Sequence, residues 1–174
     1  MLGNTRVDAA TDKSGEEAGI IPNAVADVFA VLKEENSYLQ KDEAWTVKLS
    51  YLEVYNEQVY DLLESTGKVL SVREDQIANR VVVAGLTEVP VVSYSEVMEY
   101  LLVGNGNRKT EATMANNVSS RSHAVLQIVL KRRLLRKDSG KESVMEAKLS
   151  LIDLAGSERA SATNNRGERL QVNP

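Results

Sequence analysis

The chain has 174 residues, of which 43% are hydrophobic and 26% are charged. This balance is typical of one globular domain with a buried core, and it excludes a disordered or collagen-like chain. The sequence contains no cysteine, which excludes disulfide bonds and thiolate metal sites. The formal net charge of −4 argues against nucleic acid as the main partner, but a local basic patch could still bind an acidic surface.

Targeting and membrane signals are not evident in the sequence. No apolar run approaches the roughly 18 residues that span a bilayer, and residues 1–6 contain no apolar signal core. Leu2 stands where N-terminal myristoylation requires glycine. We therefore expect a cytoplasmic protein without a membrane partner.

The first part of the chain predicts a loop, a helix and a strand. Residues 4–18 are polar, and we expect residues 1–18 to form a flexible loop. Pro22 favours a helix start, and apolar residues at helical spacing extend the helix to about Asn36. Residues 45–55 alternate as a strand does, and residues 58–63 are consistent with a short helical turn.

The middle of the chain predicts a small hairpin and a second helix. Residues 69–72 and 81–83 form its two arms, with a long charged turn between them. Ser93 and Glu96 make a capping box for the helix, which Gly104 and Gly106 are expected to end. Residues 107–122 are polar and predict a loop.

The last part of the chain predicts two long strands joined by a turn. Residues 124–130 are apolar on both faces except at one position, which is typical of an interior strand. A turn at residues 137–140 leads into a strand over residues 145–152, which we also expect to be interior and which ends at Asp153. Interleaved helices and strands predict an α/β fold with a central sheet flanked by helices. Because this hairpin is antiparallel, we expect the sheet to be mixed.

Two polar segments carry residues suited to phosphate chemistry. The first, N-N-V-S-S-R-S-H, occupies residues 116–123, and the second, D-L-A-G-S-E, occupies residues 153–158. A carboxylate at the carboxyl end of a strand can hold Mg²⁺ through water, and a following glycine leaves its N–H open to a phosphate oxygen. Hydroxyls in a facing loop can complete the metal shell. Together the two segments favour a phosphoryl-transfer switch.

This pair of segments resembles switch I and switch II of the kinesin motor domain, a microtubule motor with the P-loop NTPase fold. The resemblance extends to L-S-Y-L-E-V-Y-N-E-Q at residues 49–58, to G-I-I-P at residues 19–22 and to the lobe around residues 72–80. It is nearly continuous from residue 19 to residue 170. Residues 122–127 and 157–163 are most similar to class-eight kinesins, which move toward microtubule plus ends and some of which depolymerise microtubules.

The resemblance implies a role for each matching residue of the nucleotide site. Ser119 and Ser120 would contact the γ-phosphate, Ser120 also the Mg²⁺ ion, and Asn116 would support that loop. Asp153 would hold Mg²⁺ through water, and Gly156 would donate its N–H to the γ-phosphate. The cofactors implied are ATP and Mg²⁺.

The resemblance also implies a latch and a microtubule contact. Arg121 and Glu158, which have opposite charges, would pair in the closed state and position the attacking water. Arg80, with Arg73 near it, would face the microtubule. The implied partner is tubulin, the implied location is the cytoplasm and its microtubules, including the spindle, and any homodimer would form through coiled-coil regions outside this sequence.

The phosphate-binding loop of the family has no match. No G-x-x-x-x-G-K-S/T occurs in the 174 residues, and Met1-Leu2-Gly3 resembles the residues just after that loop. We therefore expect residues 1–174 to be a partial motor domain that lacks this loop and the C-terminal part, with residues 155–174 forming the switch II loop and a truncated tail. Central strands would then have unpaired edges, which favour aggregation.

Other interpretations remain open. The isolated chain could be a non-catalytic pseudo-motor or a passive tubulin binder, without ATPase activity. A GTPase is disfavoured because no N-K-x-D motif is present. His123, the single histidine, favours a structural hydrogen bond over catalysis. The basic run at residues 131–133 favours a solvated hairpin tip over a tubulin contact or a nuclear signal.

Overall fold

The computed structural model describes residues 19–39, 43–77, 79–108, 122–135 and 142–156. In chain order, its elements are α1 (Ile20–Ser37), β1 (Thr46–Tyr55), β2 (Gln58–Asp61), β3 (Val69–Asp75), β4 (Arg80–Ala84), β5 (Val89–Val91), α2 (Tyr94–Asn107), β6 (His123–Leu135) and β7 (Glu142–Asp153). The α/β class and the helix-flanked central sheet are confirmed. The expected loop over residues 1–18 and most of the expected tail, from residue 157 onward, lie outside these ranges.

The strands form one sheet in the order β4-β3-β2-β1-β6-β7, with β5 also paired to β1. β6 lies along one edge of β1, while β2 and β5 share its other edge. Every pairing between the described strands is antiparallel, so the parallel pairs of the expected mixed sheet do not occur in this part of the chain. The physical reason is connectivity: parallel neighbours need a long crossover. Within the described ranges, the helical crossover α2 joins β5 to β6, which lie on opposite sides of β1.

The expected helical turn at residues 58–63 is wrong, because residues 58–61 form strand β2. Asn56 and Glu57 both have positive φ, at 49° and 62°, and they join β1 to β2 between the paired residues Tyr55 and Gln58. Two positive φ values in a two-residue loop define a type I′ hairpin turn. A turn of this type usually has the sequence Asn-Gly. Here Glu57 occupies the second position, so the sequence did not indicate the turn.

The helix α1 begins at Ile20, two residues before the expected start at Pro22. Pro22 is the third helical residue, within the first turn, where backbone N–H groups have no intrahelical acceptor. The missing proline N–H therefore costs the helix no hydrogen bond. The predicted cap of α2 is confirmed: Glu96 N donates to Ser93 Oγ at 3.3 Å, and Glu96 Oε2 accepts from Val92 N at 2.8 Å.

The expectation that Gly104 and Gly106 end α2 is wrong, since the helix continues to Asn107. Gly104 serves packing instead. A Cβ atom built on it would lie 2.3 Å from Tyr51 Cδ1, so only glycine lets the helix backbone approach the tyrosine ring on β1. The Tyr51 hydroxyl also donates to Asn105 Oδ1 at 2.9 Å, which fixes this end of the helix on the sheet.

The core lies between the two helices and one face of the sheet. The register places Leu49 of β1 opposite Ile128 of β6, and Tyr51 opposite Leu126; all four side chains are buried. The helices complete this core with the buried residues Ile21, Val25, Leu32, Val97, Met98 and Leu101.

Strand β7 differs from the interior strand that we expected. Among the described strands it pairs with β6 alone, and most of its residues are exposed. The basic residues 131–133 lie within β6, which extends to Leu135, and not at a hairpin tip. The antiparallel pairing of β6 with β7 is confirmed along its whole length.

Candidate functional site

A single guanidinium group, that of Arg108, links three parts of the fold. Arg108 follows the last residue of α2. Its Nη2 donates to Ser122 Oγ at 3.0 Å and to the Ser122 carbonyl at 3.4 Å. Its Nε lies 3.6 Å from Glu53 Oε1, and its Nη1 lies 3.6 Å from Asp153 Oδ2. The two carboxylates and the Ser122 hydroxyl therefore share one cation.

The sheet register explains why these groups meet. Glu53 is directly opposite Ala124, and Ala124 is directly opposite Asp153. Directly opposite residues point to the same face of a sheet, and this is the face on which the helices pack. The small Ala124 side chain separates the two carboxylates, and Arg108 approaches them from the end of α2.

Burial makes this ion pair energetically important. The Glu53 side chain is fully buried, and that of Arg108 is only 12% exposed. A buried carboxylate is costly unless a cation and hydrogen bonds compensate for its lost hydration. Nearby, burial raises the pKa of the Tyr51 phenol, while the Arg108 guanidinium opposes that rise.

His123 makes a second link between the two polar segments. Its Nδ1 accepts a hydrogen bond from the backbone N–H of Ala155 at 3.1 Å. Ala155 follows the end of β7, whereas His123 is the first residue of β6. This hydrogen bond agrees with the structural role that we expected for His123.

The predicted site residues are only partly within the described ranges. Asp153 is the last residue of β7, and Gly156 lies three residues further on, exposed and outside regular structure. The remaining predicted residues of the nucleotide site, Asn116, Ser119, Ser120, Arg121 and Glu158, lie outside the described residues. In the described residues, Arg108 and His123 connect the end of the first segment to the start of the second.

Sequence reasoning missed the two residues at the centre of this network, Arg108 and Glu53. A signal for Glu53 was available, because it continues the alternating series of Val47, Leu49 and Tyr51 onto the buried face. A charge in that position requires a partner. Nothing near Arg108 in the sequence indicated that it would supply the cation, since the contact depends on how α2 packs.

The donor set around Asp153 is compatible with an outer-shell role toward Mg²⁺. Mg²⁺ commonly keeps several waters and uses one or two carboxylates together with substrate phosphates. Asp153 supplies one partly exposed carboxylate, whose Oδ2 faces Arg108. No group of three or more potential metal ligands occurs among the described residues, so a directly coordinated protein cage is not present in this part of the chain.

The residues that we expected to face the microtubule lie on the β3–β4 hairpin. The two strands of this hairpin confirm the predicted arms at residues 69–72 and 81–83, and both extend into the stretch that we predicted as the turn. Asp75 is opposite Arg80 and Arg73 is opposite Val82, so both arginines lie on the same face of the hairpin. The Arg80 side chain is 58% exposed, with Nε 4.0 Å from Asp75 Oδ2 and Nη1 3.6 Å from Glu146 Oε1. In this chain, Arg80 therefore already has acidic neighbours.

A surface cavity of about 590 Å³ lies at the opposite end of β1 from Asp153. Its walls include Phe29, Trp45, Pro90 and Tyr94. It is separate from the Arg108 network, and its lining is mainly apolar, although Lys33 and Asn36 also contribute to it. Neither helix in the described ranges is both long and apolar enough to span a bilayer.

Comparison with known proteins agrees with the polar segments and the fold. The family model of the kinesin motor domain matches residues 1–173, and the chain therefore belongs to the kinesin motor domain family. The structure of a fast kinesin superposes with a TM-score of 0.75 at 31% identity, covering 98% of this chain and 44% of the solved one.

The relatives confirm the class-eight resemblance. Kinesin-like protein KIN-8B of Arabidopsis thaliana is 44% identical over 89% of this chain and 18% of its own length. Kinesin-like protein KIF19 of Homo sapiens is 43% identical over 90% of this chain and 15% of its own. The chain thus spans less than a fifth of the length of these two relatives.

Proposed function

We propose that this chain is the switch-bearing part of an ATP-driven microtubule motor of the class-eight kinesins. The observation that carries this proposal is the Arg108 bridge between Ser122 and Asp153. Ser122 directly follows Ser119, Ser120 and Arg121 of the first segment, and Asp153 opens the second. One guanidinium therefore joins the flanks of the two segments that would respond to nucleotide.

In this proposal, γ-phosphate orders both segments, and its loss after hydrolysis releases them. Ser119, Ser120 and the Gly156 N–H would bind the phosphate, with Asn116 supporting the first loop. Asp153 and Ser120 would hold Mg²⁺, which neutralises charge on the transferred phosphoryl group. Because Arg108 and His123 tie the two flanks together, a shift of one flank would be transmitted to the other.

The latch proposal assigns the hydrolysis step to Arg121 and Glu158. In a motor that contains the phosphate-binding loop, we expect Arg121→Ala and Glu158→Ala each to suppress ATP hydrolysis while nucleotide binding stays largely intact. The matched control is Lys48→Ala, which breaks an exposed ion pair with Glu88 remote from both segments. Near-normal turnover in both latch variants would contradict the proposal.

The microtubule contact is assigned to Arg73 and Arg80 on the β3–β4 hairpin. Their shared face suits an acidic partner such as the tubulin surface. Charge reversal at both positions should weaken co-sedimentation of the motor with microtubules, and the loss should diminish as salt screens the interaction. Unchanged co-sedimentation at low salt would remove these residues from the interface.

Location on cytoplasmic and spindle microtubules is part of the same proposal, as is homodimerisation through a coiled coil outside this chain.

A non-catalytic tubulin binder, or pseudo-motor, is the second candidate for the 174-residue chain by itself. It is favoured by one sequence observation, since no phosphate-binding loop motif occurs in these residues. Titration of the isolated chain with ATP and Mg²⁺ distinguishes the two candidates. Micromolar affinity would contradict the pseudo-motor, whereas absent binding together with retained co-sedimentation would support it.

A further inference from the structure

The surface cavity at the start of β1 is built by three parts of the fold. Helix α1 contributes one face of its C-terminal half, formed by residues at spacings of three and four: Phe29, Leu32, Lys33 and Asn36. The start of β1 contributes residues 45–47, and the chain from β5 into α2 contributes residues 90–94. Its volume of about 590 Å³ lies within the range of about 300–1,000 Å³ that is usual for small-molecule sites.

The apolar part of the cavity is preformed. Leu32, Val47 and Val91 line it, are 7%, 6% and 2% exposed, and belong to the hydrophobic core. Close packing holds such side chains in place. The same space is lined by three aromatic rings, those of Phe29, Trp45 and Tyr94. A flat apolar group can therefore enter without rearrangement of the core.

Several polar groups of the lining are already paired. Asn36 Oδ1 accepts from Trp45 N at 2.8 Å, which fixes α1 to the start of β1. Ser93 Oγ accepts from Glu96 N at 3.3 Å, and Glu96 Oε2 accepts from Val92 N at 2.8 Å. Because Glu96 already supplies a carboxylate at the N-terminus of α2, this helix end is not where the cavity would receive an anion.

Two groups in the lining remain as unused donors. Within the described ranges, Lys33 Nζ and Asn36 Nδ2 have no hydrogen-bond or ion-pair partner. The two residues are three positions apart on α1, so they lie on the same side of the helix. An ammonium group and an amide nitrogen only donate hydrogen bonds. They therefore suit negatively charged acceptor oxygens.

We propose that this cavity binds a small amphipathic anion, an aromatic ring system that carries a single carboxylate. The aromatic rings of the lining suit the flat body of such a molecule, and the donors of Lys33 and Asn36 suit its carboxylate. Among the described residues that line the cavity, Lys33 is the one charged group, which matches one negative charge better than a polyphosphate or an acidic peptide. The site lies at the opposite end of β1 from Asp153, so this proposal does not depend on the proposed nucleotide site.

Titration of the full chain with anilinonaphthalene sulfonate, an aromatic monoanion, tests the site. Trp45 is the single tryptophan and lines the cavity, so energy transfer from its ring to the probe reports binding at this place. We expect saturation at one probe per chain. Naphthaleneacetate should displace the probe more effectively than the neutral naphthaleneacetamide, which has the same rings but no negative charge.

The substitution Lys33→Gln separates the charge from the apolar contacts. The lysine side chain is exposed, and we expect its loss to weaken naphthaleneacetate binding about two- to fivefold, the range of an exposed charge pair. The affinity for naphthaleneacetamide should stay unchanged. Lys148→Gln makes the same change at an exposed position on β7, on the face of the sheet away from the helices, and should alter neither affinity.

Four results would overturn the proposal. Absence of saturable binding would show that the cavity takes no such ligand, and binding without energy transfer from Trp45 would locate the probe elsewhere. Equal affinities for naphthaleneacetate and its amide would show that the cavity does not select a negative charge. Equal weakening by Lys148→Gln and Lys33→Gln would attribute the effect to the net charge of the chain.

Discussion

Replacing Arg108 by methionine should cost the fold a large share of its stability. The substitution keeps an apolar side chain of similar length and removes the guanidinium that lies 3.6 Å from the fully buried Glu53 carboxylate. Loss of one partner of a buried pair costs about 3–5 kcal/mol, against a total of roughly 5–15 kcal/mol for a typical domain. Urea unfolding followed by the fluorescence of Trp45, the single tryptophan, measures the change.

A double-mutant cycle separates the ion pair from the packing of its members. Glu53→Gln removes the charge but keeps the shape, and combining it with Arg108→Met removes the unpaired carboxylate. We therefore expect the double variant to be more stable than the sum of the single effects predicts, by about 0.5–3 kcal/mol. Strict additivity would show that Glu53 and Arg108 are not coupled.

Lys48→Met tests whether burial, and not the distance between the two charges, determines the loss of stability. The Lys48–Glu88 pair is shorter, at 3.1 Å, but its side chains are 46% and 50% exposed, and such pairs contribute about 0–1 kcal/mol. If burial governs the energetics, Arg108→Met must cost several times more than Lys48→Met despite the longer separation. Equal costs for the two variants would refute the reasoning.

Two further predictions concern packing and pH. Gly104→Ala should lower the free energy of unfolding by about 1–3 kcal/mol, because the added Cβ would overlap the Tyr51 ring. Gly106→Ala should raise it by up to about 1 kcal/mol, because a Cβ there would have nothing within 4 Å. Changes of the opposite sign in thermal unfolding would contradict the close contact at Gly104. The hydrogen bond from Lys131 lowers the pKa of Glu146 below its usual value of 4.5. The resulting stabilisation is therefore present above about pH 4.5 and lost as the pH falls through the lowered pKa. Because the pair is exposed, its size is below about 1 kcal/mol. Glu146→Gln should abolish this part of the acid dependence, and an unchanged acid profile would show that the pair contributes nothing.

Local sequence information was sufficient for the elements that are defined by nearby residues. The alternation of β1 predicted a strand because side chains alternate between faces at every residue. The cap of α2 was predictable because Ser93 and Glu96 lie within one helical turn of each other. The two polar segments were identified from consecutive residues, and family membership followed from them. Local information failed at β2, where Asn56 and Glu57 form a tight turn without the usual glycine.

Only the tertiary structure decided which distant residues meet. The contact of Arg108 with Glu53 and Asp153 depends on the register of three strands and on the angle at which α2 packs, and neither is encoded within a short window of sequence. The role of Gly104 likewise follows from its distance to Tyr51 and not from its neighbours in the chain. Periodicity and capping are short-range properties of the backbone, so the sequence alone determined them. Charge pairing across the core depends on long-range geometry, which exists only once the sheet has formed.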